Sequence, residues 1–573
     1  MKSILILALF LVPLEAQDKG RVFMISLDGM GFKAFTEDPA AAEMKTMRRL
    51  AAEGISAPMQ AAFPSLTAPG HASIFTGVYG NVNGVTANDI PVTFETRANG
   101  FRAEQLKTEF FWLKPGRSGL KTVAHNPTQG FPCNAFNSGP NVTLMNGYQT
   151  PEVAPEKLLK AEDVTWLDKA PDGFAIPLKS QLPIRYFRYN SGRIQFVAAI
   201  FAKGFRYDTI RMTAYSGKRY VDVERKESET EPVRIGNKTR PLARYFSEGL
   251  PIANITAVHF RLFDLNAEGT DFLLYQTQAK EISVCDGGDT QAEKFKRKLL
   301  TTTGAFIGNG AGGPYTKGEL GAPYTDGLAE RRFLETLELH ARQTMRHTRA
   351  LLAEYNPRLL VDYISTPDDM LHNWWGLAAQ GDKFIEPYRR WGYQIIDERV
   401  TQLSQLLKEE DHIVIVSDHG MTAMHTELRI NKLLEELGYK DRLAAQDHFL
   451  IAKDRKNQAL LEEAKQKLDS YKDGETKVFT EWFWPKEAAT KFGIGGEYGG
   501  DLYFDLAPGY KSVADTKKPT IVKLERTKGE HGPLPTRPDI QALFIAYGPN
   551  LHSRAASMKT TNIALLVLSL LGF

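Results

Sequence analysis

Four short runs along the chain are apolar at nearly every position: "VFMISL" (22–27), "LLVDYI" (359–364), "HIVIVS" (412–417) and "ALFIAY" (542–547). A strand facing water on one side would alternate, so continuous runs predict strands buried on both faces. Between them the period changes. In "YQIIDERVTQLSQLLKE", Ile395, Ile396, Val400, Leu403 and Leu407 recur at three- and four-residue spacing, which predicts an amphipathic helix leading into the strand at 412. Helices interleaved with such strands predict an α/β fold on a doubly wound, mostly parallel sheet. Residues 136–330 break that alternation. "RIQFVAAIFA" (193–202), "TIRMTAY" (209–215), "YVDVER" (220–225), "VHFRLFDL" (258–265) and "FLLYQTQ" (272–278) predict an inserted, mostly antiparallel β-rich subdomain. A second insertion, 438–525, carries the charged helical stretch "QALLEEAKQKLDSY" and predicts a smaller cap over the crevice. The catalytic core would then comprise 17–135, 331–437 and 526–573.

The termini and the charge balance narrow the class. "MKSILILALFLVPLEAQ" has Lys2, an apolar run from Ile4 to Leu14 and a small residue at Ala16, the pattern of a secretory signal peptide over 1–16. The expected location is therefore exported, periplasmic or extracellular. That run, and "IALLVLSLLGF" at 563–573, fall short of the roughly 20 residues that span a bilayer, so no transmembrane anchor is expected. The second run reads as a packed terminal helix. A net charge of +3 with 24% charged residues gives no basic surface for nucleic acid. Cys133 and Cys285 are too few for a disulfide framework, and the sequence leaves open whether they pair. Oligomeric state is not legible.

Chemistry-bearing residues follow the strands. Asp28 comes after "VFMISL", Asp368 and His372 after "LLVDYI" in "STPDDMLH", and Asp418 and His419 after "HIVIVS". Ligands of doubly wound sheets bind outside the carboxyl ends of the strands, so these loops should converge. Each Asp alone could be a helix cap; together with His531 in "GEHGPLP" they are the oxygen and nitrogen donors zinc favours. Asp368 and His372 are one helical turn apart. The set suffices for two metals of the kind that clamp phosphoryl oxygens. "FPSLTAPGH" (63–71) offers Thr67, read either as a helix cap or as a nucleophile, with Ser65 as a rival hydroxyl and His71 as a packing residue. The remaining histidines, among them His125, His340, His347, His448 and His552, are read as structural. "GAFIGNGAGGPYTKGELGAPY" (304–324) lacks the strand–loop–helix context of a phosphate cradle and reads as a flexible connection.

The loops "SLDGMG", "FPSLTAPGH", "GVTAND", "STPDDMLH", "VSDHGM", "GGDLYFDLAPGY" and "EHGPL" resemble, in order and spacing, the type I phosphodiesterase/nucleotide pyrophosphatase branch of the alkaline phosphatase superfamily. The resemblance implies an alkaline phosphatase-like fold and two Zn²⁺. It implies Asp28, Asp418 and His419 as ligands of one zinc, with the Thr67 oxygen, and Asp368, His372 and His531 as ligands of the other. Thr67 matches the nucleophile, which would form a covalent phosphothreonine, and Asn88 matches the asparagine that holds a phosphate oxygen with the Thr67 amide. The expected substrate is a small-molecule phosphate ester or nucleotide. Threonine-nucleophile monoesterases of this superfamily add a Lys-x-Arg pair where this chain has 125–132, a stretch without Lys or Arg, which favours diesters. Trp374 and Trp375 are read either as a stacking surface or as core. The other readings are a phosphomonoesterase and a non-catalytic secreted binding protein.

Overall fold

The computed structural model describes residues 20–573 apart from 172–173, 175–177, 216–217, 229–233, 236–237, 240–241, 254–255, 287–290 and 552–556. Segment 1–16, read above as a signal peptide, and His552 lie outside the described residues.

The core is a nine-stranded sheet. Its strands, in chain order, are β1 (Val22–Leu27), β2 (Ile55–Gln60), β3 (Thr122–His125), β4 (Val142–Asn146), β5 (Ser283–Cys285), β6 (Leu359–Ile364), β7 (His412–Ser417), β8 (Ala542–Tyr547) and β9 (Met558–Lys559). They lie in the order β5-β4-β3-β6-β1-β7-β8-β2-β9. β4, β3, β6, β1 and β7 run parallel, while β5 and β8 run antiparallel to their neighbours. All four apolar runs are therefore strands of one sheet.

Alternation explains why β1 is apolar throughout. Phe23, Ile25 and Leu27 enter the core on one face, and Val22 and Met24 the core on the other. The first face is covered by two helices, α2 (Leu328–Tyr355) and α4 (Glu386–Ser404), through Phe333, Leu337, Ile396 and Val400. The opposite face is covered by α1 (Thr67–Thr76) and the terminal helix α5 (Asn562–Leu571), through Ala72, Phe75, Ile563 and Val567. The helix predicted before the strand at 412 is α4. α3 (Thr366–Ala379) follows β6. Trp374 and Trp375 on α3 are 0% and 5% exposed, and the Trp374 indole N–H donates to the Tyr315 hydroxyl at 2.9 Å, so both belong to the core.

Expected to begin at 136, the inserted β-rich body proves narrower, because β4 and β5 are hydrogen-bonded into the core sheet. Between them stand a five-stranded antiparallel sheet, Tyr220–Glu224 to Thr165–Leu167, and a three-stranded one, Phe260–Leu265, Phe272–Gln276 and Lys157–Lys160. Their shared core includes Phe187, Phe196, Ile200, Ile210 and Leu274. A fully buried Arg261–Glu335 ion pair, 2.7 Å long, ties this body to α2. Cys133, in the loop after β3, is disulfide-bonded to Cys285 in edge strand β5, which fixes where the insert returns. The cap contains a four-stranded sheet of Leu443–Gln446, Phe449–Ala452, Leu502–Leu506 and Phe479–Phe483. The stretch read as a charged helix is helical over Gln458–Asp469 and buries Leu460, Leu461, Ala464 and Leu468.

Candidate active site

Strand register sets the floor of the site. Leu27 pairs with Ile364 on one side and with Ser417 on the other, so the next residues, Asp28 and Asp418, leave the sheet at one level. Gly29 lets them close up: it has φ +68°, its N–H donates to Asp418 Oδ1 at 3.1 Å, and a Cβ there would meet Asp368 Oδ1 at 2.7 Å. His419 Nε2 stands 3.1 Å from Asp418 Oδ2 and 3.6 Å from Asp28 Oδ1. One turn of α3 places His372 Nε2 3.3 Å from Asp368 Oδ2, and His531 Nε2 lies 3.8 Å from Asp368 Oδ1. The donor atoms form two trios, Asp28–Asp418–His419 and Asp368–His372–His531, each within 4.8 Å of one another. The His419 and His531 rings stack at 3.9 Å and join the trios.

Each imidazole is aimed by its other nitrogen. Nδ1 of His419, His372 and His531 donates to the carbonyls of Gly420, Gly529 and Ser65 at 3.1, 3.1 and 3.0 Å, which leaves Nε2 facing the trio. Among the described residues, none makes a hydrogen bond to the buried Asp368 Oδ1 or Asp418 Oδ2. Buried carboxylate oxygens left this way are costly, and a cation would satisfy them. Burial and the carboxylates of Asp418 and Asp368 push Asp28 well above the usual range. Asp368 moves the other way, to about 2, because the neighbouring histidines outweigh the effect of burial. His372 is raised to about 10 by Asp368 against burial, and His531 falls to about 3 through burial and His419. On donor chemistry and on these unsatisfied oxygens, the residues fit a pair of divalent metals.

Thr67 is the first residue of α1; the cap position is Leu66, and no side chain caps the helix. The Thr67 hydroxyl lies 3.3 Å from Asp28 Oδ1 and 3.4 Å from His419 Nε2. Ser65 is turned away, donating to the carbonyls of Ala62 and Pro533 at 2.9 and 2.8 Å. Gly70 allows the close approach of α1, since a Cβ there would stand 2.8 Å from Asp418 Cβ. His71 packs edge-on against Tyr363, with Nδ1 3.1 Å from the Thr67 carbonyl and 3.2 Å from Asp418 Oδ2. Half-buried Asn88 accepts the Ala68 N–H at 2.9 Å through Oδ1, so its NH₂ group is free for a ligand.

Two cavities flank the trios and share Asn88, His372 and His531. One, of about 330 Å³, contains Thr67, Asp28 and the turn Asn126–Thr128. Neither Lys nor Arg lines it among the described residues. The other, of about 260 Å³, is lined by Asp447, His448 and Lys511 from the cap, the last tied to Glu530. Sequence reasoning missed several of these groups. Tyr363, inside an apolar run, donates its hydroxyl to Asp28 Oδ2 at 2.5 Å, and His448, read as structural, lines the second cavity. Asp369 and Tyr148 also line the first.

The family model for type I phosphodiesterase/nucleotide pyrophosphatase matches residues 22–208 and 288–534. The unmatched stretch between them covers the later part of the inserted β body and the edge strand β5. No curated protein sequence matches the chain. Among solved structures, phosphonoacetate hydrolase from Sinorhizobium meliloti 1021 with phosphonoformate has a TM-score of 0.50 at 13% identity, covering 96% of this chain and 96% of that one. Its complex with phosphonoacetate gives 0.50 at 12% identity over 96% of each chain. Murine ectonucleotide pyrophosphatase/phosphodiesterase 5 has a TM-score of 0.48 at 12% identity, covering 96% and 95%.

Proposed function

Since the chain belongs to the type I phosphodiesterase/nucleotide pyrophosphatase family of the alkaline phosphatase superfamily, we propose that this phosphoric ester hydrolase is a zinc-dependent phosphodiesterase acting through a phosphothreonine at Thr67. The observation that carries the reading is the Thr67 hydroxyl at 3.3 Å from Asp28 Oδ1 and 3.4 Å from His419 Nε2, at the head of α1. Asp28, Asp418 and His419 would hold one zinc and Asp368, His372 and His531 the other. Bound zinc would supply Lewis acidity and lower the pKa of the threonine hydroxyl.

The chain's own groups do the rest. Thr67 Oγ1 attacks phosphorus as one ester oxygen leaves as its alcohol, so the threonine carries the remaining monoalkyl phosphoryl group. Water then attacks phosphorus, the Thr67–oxygen bond to phosphorus breaks, and a monoester departs as the threonine regains its proton. Asn88 Nδ2 and the Thr67 N–H, neither engaged by another described residue, donate to a phosphoryl oxygen. The other first-turn amides are spent, Ala68 N–H on Asn88 Oδ1 and Gly70 N–H on the Leu66 carbonyl, so α1 adds only the positive end of its dipole.

Diester preference is supported by the absence of Lys and Arg among the described residues lining the Thr67 cavity, since a monoester brings one more charged oxygen. Lys511 lies in the other cavity and is neutralised by Glu530. Export is supported by the 1–16 pattern and by the disulfide, a bond that persists in oxidising compartments. No helix among the described residues is long and apolar enough to cross a membrane. The test is kcat/KM for matched aryl mono- and diesters at one pH, before and after chelation. The diester should be preferred, with activity lost to chelator and restored by zinc. A tenfold monoester preference would overturn the diester assignment, and full activity without metal would overturn the zinc assignment.

A further inference from the structure

The Gly-rich stretch at 304–324 is not a slack connection. His347 Nε2 bonds the Gly304 carbonyl at 2.9 Å, Gln343 Nε2 donates to the Ala305 carbonyl at 3.2 Å, and the Ala311 N–H donates to Thr336 Oγ1 at 2.9 Å. Those partners all project from α2. On the other side the Lys280 N–H donates to the Phe306 carbonyl at 3.2 Å. Gly308 and Gly310 take φ +80° and +96°, and a Cβ on either would come within 2.9 Å of Gln278 or Thr336. A loop pinned at both ends, with glycines where side chains cannot go, holds the residue between them in place. That residue is Asn309, and it lines the Thr67 cavity.

Asn309 presents one amide to this cavity, an acceptor Oδ1 together with a donor NH₂. Gln149, on the same cavity, is oriented by a neighbour. Its Oε1 accepts from Asn99 Nδ2 at 3.2 Å, leaving its NH₂ as a donor. Amide acceptors and donors lining one cavity match hydroxyl groups, which both give and take a hydrogen bond. Phe101 supplies an apolar surface nearby, and no Lys or Arg among the described lining residues would receive a further anionic group.

We propose that Asn309 and Gln149 form a subsite for a neutral, polyhydroxylated alcohol arm of the phosphodiester, of the glycerol or sugar type. The proposal rests on the phosphodiesterase reading above and adds the class of alcohol. A pyrophosphate arm would carry a second charge with no cation to meet it.

The test compares two esters with the same p-nitrophenolate leaving group, p-nitrophenyl glyceryl phosphate and p-nitrophenyl propyl phosphate, with thymidine 5′-(p-nitrophenyl phosphate) as a third. The glyceryl ester should exceed the propyl ester in kcat/KM by about tenfold or more, the product of two hydrogen bonds each contributing a few-fold. Asn309→Ala and Gln149→Leu should each pull that ratio toward one. Equal turnover of glyceryl and propyl esters by the wild type would overturn the proposal while leaving the phosphodiesterase reading standing, and no variant is needed to see it. The same holds if the thymidine ester exceeds the glyceryl ester tenfold, or if both variants lose both esters in equal proportion. Turnover of none of the three would overturn both readings.

Discussion

Asn88 carries two tasks that can be separated. Its Oδ1 accepts the Ala68 N–H at 2.9 Å and so ties the loop before the short strand Asp89–Pro91 to the head of α1, while its NH₂ would meet the substrate. Asn88→Ala removes both. Losing the hydrogen bond should cost about 1 kcal/mol of stability, and losing one oxyanion-type donor should lower kcat by about 10² to 10³. Asn88→Asp removes only the second, because a carboxylate still accepts from Ala68. It also sets a negative charge against the phosphoryl oxygen. At about 4 Å and an effective dielectric constant of about 20 that repulsion is about 4 kcal/mol, or roughly 10³ in kcat/KM. The aspartate variant should therefore be as stable as wild type in a denaturant titration yet at least as slow as the alanine variant on a chromogenic diester. If Asn88→Asp kept more than about a tenth of wild-type kcat/KM, Asn88 would be only a loop tie, and the donor role would fall.

Thr67→Ala should lose nearly all turnover while keeping its fold and most of its metal; Ser65→Ala should be mild, and intact-mass or peptide mapping of a trapped phosphoryl adduct should find it on Thr67. Purified protein should carry about two zinc ions by elemental analysis, and Asp418→Asn should reduce that number because a neutral amide removes the charge this trio offers a cation. Removing the disulfide, which closes a loop of 152 residues, should cost up to about 5 kcal/mol on the chain-entropy account, read from denaturant midpoints of a Cys133→Ser/Cys285→Ser variant. His347 is held at about 3 by burial and by the charge of His125, so the unfolded chain binds a proton that the native state refuses. Its contribution to stability is thus complete above about pH 6.5 and falls by about 1.4 kcal/mol per unit as pH drops toward 3; His347→Gln should flatten the pH dependence of stability in that window, and an unchanged slope would contradict the shift.

Of the core sheet, the sequence displays the strands that are buried on both faces. β1, β6, β7 and β8 each need apolar side chains on both faces, and that requirement writes itself as an unbroken run. β4, "VTLMN", interrupts its apolar pattern with Thr143 and ends on Asn146, whose Nδ2 donates to the Pro127 carbonyl of the turn after β3 at 2.8 Å. β5 has three residues and one hydrogen-bonded neighbour. Neither leaves a distinctive run, and so the insert boundary and the Cys133–Cys285 pairing, which depends on where β5 docks, were beyond sequence reasoning.

The site divides along the same physical line. Asp28, Asp418 and the Asp368–His372 pair are legible because a strand end or a helical turn, both local, decides where they go. Tyr363 was half legible: Asp362 and Tyr363 are adjacent in a strand and must face opposite sides. Asp362 meets Arg399 at 2.8 Å and His125 at 2.9 Å on one face, while Tyr363 reaches Asp28 and His71 on the other. Alternation predicts the split but not the partners. Gln149, Asn309, Lys511 and His448 acquire their roles only from pairings across long stretches of chain, made by the insert and the cap. On the proposed mechanism, local pattern fixes the atoms that would act on phosphorus, and long-range packing fixes the walls that would meet the rest of the substrate. Two chains of this family could therefore share every strand-end motif and still differ in the alcohol they accept, so substrate choice is to be tested at Asn309 and Gln149 rather than at Thr67.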